Sequence, residues 1–122
     1  MNVKLGDVAI VIKGRWPNVG KIVYVARETP DRDYSNMGYG ILHAWFVESL
    51  GGDLDTDAGP RQAGYTPDIS LRRLPGITPE QAEQLRDTKR QANLDAVLAD
   101  LAKILAPFIE EEETADEDSR AS

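Results

Sequence analysis

The chain has no cysteine among its 122 residues, which excludes a disulfide scaffold, a thiol nucleophile and any Cys-ligated zinc site. It has one histidine, His43, set among apolar neighbours in a strand-like run, where a satisfied sheet histidine is the ordinary outcome. A nucleophile with base and orienting acid would have to be assembled from that residue and Ser35, Ser49 or Ser70, and no Gly-rich phosphate loop leads from a strand into a helix. No run is long and apolar enough to cross a bilayer, and no apolar leader segment opens the chain. These absences set the expectation of a non-enzymatic cytoplasmic protein without cofactor, metal or membrane contact.

Charge is present but unevenly placed. The net charge is -7, yet the last thirteen residues hold seven of the 21 acids and one of the 14 bases, leaving the body near neutral. Such an acidic run cannot bury enough apolar surface to order itself, so 110–122 reads as a disordered tail. It could solvate the protein, imitate phosphate or fold back over a basic surface. The first 27 residues carry Lys4, Lys13, Arg15, Lys21 and Arg27 against Asp7 alone, so the opening segment is locally basic.

That opening segment organises the rest. Val8 to Ile12 and Ile22 to Ala26 are β-type runs separated by a polar loop that Gly14, Pro17 and Gly20 punctuate, which predicts a hairpin with a wide loop. Gly6-Asp7, Val11-Ile12, Gly14 and Gly20-Lys21-Ile22 resemble the opening of the KOW and SH3-like small β-barrels. The resemblance implies a small barrel whose first loop contacts RNA or protein.

Downstream, Glu28 to Gly40 is a loop by its Pro, Asp, Asn and Gly content, and Ile41 to Leu50 reads as the strongest strand. Leu42, Ala44, Phe46 and Leu50 would share one face, with Ile41, His43, Trp45 and Val47 on the other. Both faces are apolar, so the outer one needs a cover, and a C-terminal helix is the candidate. After a loop from Gly51 to Ala63, the segment GYTPDISLRRLPG closes the barrel as a last strand or turn. The sequence Gly6-Asp7-x-Ala9-Ile10-Val11, Pro17-x-x-Gly20-Lys21-Ile22-Val23, Trp45-x-Val47-x-Ser49-Leu50-Gly51 and Pro67-Asp68-x-x-Leu71-Arg72 resembles a group of short uncharacterised proteobacterial and phage proteins over roughly Met1 to Leu74. That likeness implies the same fold and a mobile-element origin, without a mechanism.

From Thr78 the period becomes helical. Thr78 at N-cap, Pro79 at N1 and Gln81 at N3 form a capping-box start. Leu94, Val97, Leu98, Leu101, Ile104, Leu105 and Phe108 fall on one stripe, and Pro107 predicts a helix end near Ala106. The stripe either packs on the barrel or pairs with a second copy, since 94, 97, 101, 104 and 108 alternate steps of three and four as a coiled-coil seam does. The polar face carries Asp95 and Asp100 beside Lys103, which argues against a membrane-surface helix.

The candidate partner-binding residues are Lys13, Arg15, Trp16, Asn18, Lys21, Tyr24 and Trp45. Bases can neutralise phosphate and an aromatic can stack on a base, while exposed Trp and Arg are common hot spots of protein interfaces. A near-neutral body favours a protein partner, with RNA or DNA as the alternative. Asp53-x-Asp55-x-Asp57-x-Gly59 has the alternate acids of a calcium loop but lacks its sixth-position Gly and its final acid, so a solvated turn is the better reading. Gly76-Ile77 is similar to a helix-hairpin-helix turn, but helix capping accounts for the same residues. The expected architecture is therefore mainly β: an SH3-like (KOW-type) small barrel at 1–76, an amphipathic helical extension at 77–109 and the disordered acidic tail.

Overall fold

The computed structural model describes the backbone of residues 1–121 and the side chains of residues 1–106. The chain divides into two compact units, Met1–Lys89 and Arg90–Ser122, with the division inside the C-terminal helix.

Within the first unit, β1 (Val8–Val11) and β2 (Ile22–Glu28) make the expected hairpin, with Val8 opposite Tyr24 and Ala9 opposite Val23. Two short strands, β3 (Arg32–Asp33) and β4 (Ile41–Leu42), pair with each other. The chain then returns to β2 as β5 (Ala44–Ser49). A second short hairpin, β6 (Leu54–Thr56) with β7 (Gly59–Arg61), precedes β8 (Ala63–Pro67), which lies beside β5. After a 3-10 turn at Asp68–Ser70, β9 (Leu71–Arg73) pairs with β1. The main sheet is antiparallel throughout, in the order β8-β5-β2-β1-β9.

That order carries a strong geometric constraint. β8 and β9 are the two edges of the sheet, and only the three-residue turn joins them. Flat, the outer strands of a five-stranded sheet would lie about 19 Å apart, whereas the four steps from Pro67 to Leu71 reach at most about 14 Å. The sheet must curl. Its edges nonetheless remain unpaired with each other, so the closed barrel expected from the sequence is not formed; the intervening 3-10 turn bonds to other elements instead. The Ser70 carbonyl accepts from the Ile12 amide at 2.7 Å, and the Asp68 amide donates to the His43 carbonyl at 2.9 Å.

The curled inner face holds Ala9, Val11, Val23, Val25, Trp45, Val47 and Leu71, with Val3 and Leu54 filling in from the ends. The outer face holds Val8 and Tyr24, and Ala82 of the helix covers them together with Leu74 and Ile77. The cover expected from the C-terminal helix is thus supplied by its first turns. The run 41–50 is two strands, not one: His43 leaves the ladder where its carbonyl takes the Asp68 amide.

The helix α1 (Pro79–Ala121) starts as its capping box predicts, since the Thr78 amide donates to Gln81 Oε1 at 3.0 Å and the Gln81 amide to Thr78 Oγ1 at 3.1 Å. Its backbone stays helical beyond the stop expected near Ala106, through a Glu-rich stretch of good helix formers. The expectations for the Phe108 side chain and the side chains of the acidic tail lie outside the described residues. Leu94, Val97, Leu98, Leu101, Ile104 and Leu105 are all exposed. No helix among the described residues is long and apolar enough to cross a membrane.

Asp68 is the polar hub of the core. Its carboxylate accepts from the Asn2 amide at 2.8 Å, the Val3 amide at 3.2 Å and Trp45 Nε1 at 3.0 Å. Burial pushes its carboxyl up, but those hydrogen bonds and the N-terminal charge outweigh it, and the net direction is below the ordinary carboxylate value. A carboxyl depressed in the folded state adds stability above its unfolded value and loses it as pH falls through the folded value. Urea unfolding at several pH values should therefore show stability declining below about pH 4 to 5. Asp68→Asn should lower neutral-pH stability by about 1 to 3 kcal/mol and flatten part of that decline.

Candidate functional site

The β1–β2 loop is fixed by contacts some forty residues away. Arg15 Nη1 meets Asp55 Oδ2 at 3.1 Å and Arg15 Nη2 bonds Asp57 Oδ1, while Lys21 Nζ donates to the Asp53 carbonyl. Asn18 locks the arrangement reciprocally, donating through Nδ2 to the Asp55 carbonyl at 2.9 Å and accepting the Asp55 amide at 2.7 Å. The acids at 55 and 57 thus sit on the β6–β7 hairpin and hold this loop, while Asp53 contributes its carbonyl. No group of three His, Asp or Glu side chains among the described residues is arranged to hold a metal ion.

The seven sequence-derived candidates do not form one surface. Trp16 starts a 3-10 turn, Trp16–Asn18, and is 82% exposed. Trp45 is 2% exposed, a core residue on the inner face, and Tyr24 is buried on the opposite face with the Arg86 guanidinium 4.9 Å from its ring centre. Neither is available to a partner, which corrects the expectation for both. The cause is the two-residue period of strands: alternate residues on β2 and β5 must go inward or under the helix. Lys13, Arg15 and Asn18 line a cleft, whereas Trp16 and Lys21 are outside its lining.

That cleft encloses about 500 Å3. One wall is the β1–β2 loop, a second is the segment from Arg32 to Met37, and a third is the β6–β7 hairpin; all five residues of β8 line it. Tyr34 is set by its own loop, its amide donating to the Gly40 carbonyl at 3.0 Å and its carbonyl accepting from the Tyr39 amide at 3.1 Å. The Tyr34 ring is 8% exposed with the Arg32 guanidinium beside its hydroxyl, and Ser70 is 1% exposed with a hydroxyl that has no hydrogen-bond partner. Burial pushes the Tyr34 phenol above its ordinary value, against the pull of the Arg32 guanidinium. Gly14 lets the loop pass this close. Its φ is +109°, and a Cβ there would lie 3.3 Å from both Met37 Cε and Ser70 Oγ.

Beside the cleft runs a row of cations and rings. Arg27 lies 4.2 Å above the centre of Phe46, Phe46 meets Tyr65 edge to face at 5.2 Å, and Arg32 lies 4.0 Å above Tyr65. Cross-strand register places Arg27 opposite Phe46 and Phe46 opposite Tyr65. Tyr34, Tyr65 and Arg32 were not among the residues singled out from the sequence, and Ser70 entered there only as a hydroxyl for a catalytic arrangement. The available signal was weak: two tyrosines in turn-rich segments, YSNMGYG and GYTPD. The lone histidine lies away from this lining, with Nδ1 3.4 Å from Asp31 and its ring edge to face with Trp45 at 4.9 Å.

No protein-family model, curated protein or solved structure matches this chain.

The Asn18–Asp55 lock is open to direct test. Asn18→Ala should cost about 1 kcal/mol and speed hydrogen exchange of the Asp55 amide. A double-mutant cycle on Arg15 and Asp55, both partly exposed, should give a coupling of only about 0.2 to 1 kcal/mol, reduced by salt.

Proposed function

We propose that this chain is a non-enzymatic binding module of the SH3-like, KOW-related kind that holds an extended segment of a protein partner in the cleft. The fold part of the reading is supported by the meander β8-β5-β2-β1 with the fifth strand brought beside β1 by a 3-10 turn. The observation that carries the functional part is the pair of buried hydroxyls on the cleft lining, Tyr34 beside Arg32 and Ser70 without a hydrogen-bond partner. A buried hydroxyl without a partner costs stability, and a ligand carbonyl or amide reaching it removes that cost.

Two further features favour a peptide. β8 is an edge strand that lines the cleft over its whole length, and an edge offers the main-chain groups that an extended peptide can match. The bases of the lining, Lys13, Arg15, Arg32 and Arg61, are interspersed with Asp33, Asp55 and Asp57, and Arg15 is already held by two of those acids. That balance does not suit a phosphate backbone. A second reading, unpaired nucleic acid, draws on the Arg27–Phe46–Tyr65–Arg32 row, where a base could stack on Tyr65.

Selection from a random linear peptide library, followed by affinity measurement, tests the proposal. Tyr34→Phe and Ser70→Ala should each weaken an enriched peptide about tenfold while leaving the unliganded protein as stable as before or slightly more so. Single-stranded RNA or DNA that binds in place of peptides, with affinity falling steeply as salt rises, would instead establish the nucleic-acid reading.

A further inference from the structure

The stripe on the second unit has a symmetry of its own. Counted from Leu101, its apolar positions lie at minus seven, minus four and minus three (Leu94, Val97, Leu98) and at plus three, plus four and plus seven (Ile104, Leu105, Phe108). The pattern reads the same in both directions. Of these, every residue from Leu94 to Leu105 is exposed, and a contiguous exposed apolar stripe of this kind marks an interface.

Charge then selects the orientation. Arg90 and Glu112 stand eleven residues to either side of Leu101, about three full turns, so both continue the seam at its two ends. Glu112 lies in the run Glu110 to Glu113. Two parallel copies would set Arg90 against Arg90 and the four-glutamate run against itself. Two antiparallel copies centred on Leu101 set Leu94 opposite Phe108, Val97 opposite Leu105, Leu98 opposite Ile104, and each Arg90 opposite the other copy's Glu112. A two-fold interface must be self-complementary in this sense, and opposite charges at the ends of a helical seam fix its orientation.

We propose that residues 90–112 of α1 form an antiparallel homodimer with its two-fold axis at Leu101. The occupant of the stripe is a second copy of the same chain. None of these residues lines the cleft, and the proposal does not depend on what the cleft holds.

Light scattering and sedimentation of the full chain over a concentration series should show a reversible monomer–dimer equilibrium. Arg90→Glu and Glu112→Arg should each raise the dissociation constant about tenfold, and the Arg90→Glu/Glu112→Arg double variant should recover it, because charge reversal at both ends restores the pairing. Orientation is read separately, using the absence of native cysteine. With a short bis-maleimide, a mixture of Arg90→Cys and Glu112→Cys chains should cross-link, and neither variant should cross-link to itself. A chain that stays monomeric at every concentration, self-linking of Arg90→Cys, or no recovery in the double variant would each overturn the proposal.

Discussion

A turn of three residues, Asp68–Ser70, has to join strands that lie on opposite edges of one five-stranded sheet. Much of the first unit's design follows from that short tether. The sheet curls because the link cannot span its flat width, and curling wraps small β-branched residues around Trp45 on the inner face. The same turn gathers polar partners that a flat sheet would keep apart. Asp68 reaches the N-terminal amides and the Trp45 indole at once, while Ser70 binds Ile12 through its carbonyl and itself belongs to the cleft lining. Fold stability and site geometry therefore share one connection.

Two kinds of polar group surround the cleft, and they differ in whether the fold already satisfies them. Arg15 and Asn18 are engaged by the β6–β7 hairpin and serve to hold a loop. Tyr34 and Ser70 are buried as deeply as core residues, and the Ser70 hydroxyl bonds nothing while the Tyr34 hydroxyl has only the Arg32 guanidinium beside it. Natural folds tend to break their own rules at places of function, where a local cost is kept for a ligand. Arg15 and Asn18, which looked like binding residues in the sequence, hold a loop, and the proposed binding rests instead on the Tyr34 and Ser70 hydroxyls.

The regular elements were legible because their periods are local. Alternating Val and Ile gave the β1–β2 hairpin, and the Thr78–Gln81 capping box gave the start of the helix, in each case from residues a few positions apart. What failed was non-local. Period-two alternation says that neighbouring side chains take opposite faces, but on β5 both sets are apolar, so nothing in the run shows that Trp45 goes inward and Phe46 outward. The split at His43 depends on the Asp68 amide, 25 positions on, and the acids at 55 and 57 make sense only beside Arg15. The cleft combines residues from the segments around 14, 34, 55, 65 and 70, none of which carries a motif alone. Pro107 was read through its missing amide; the Glu-rich helix formers beyond it were not weighed.

The central claim is the location of the binding surface, and amide chemical shifts recorded while an enriched peptide is titrated into the full chain test it most directly. The account predicts the largest changes at Lys13 to Arg15, Arg32 to Met37 and Ala63 to Ser70, with the Tyr34 and Ser70 signals among them. Changes confined to Trp16 and Lys21, or to the helix beyond Arg90, would contradict it.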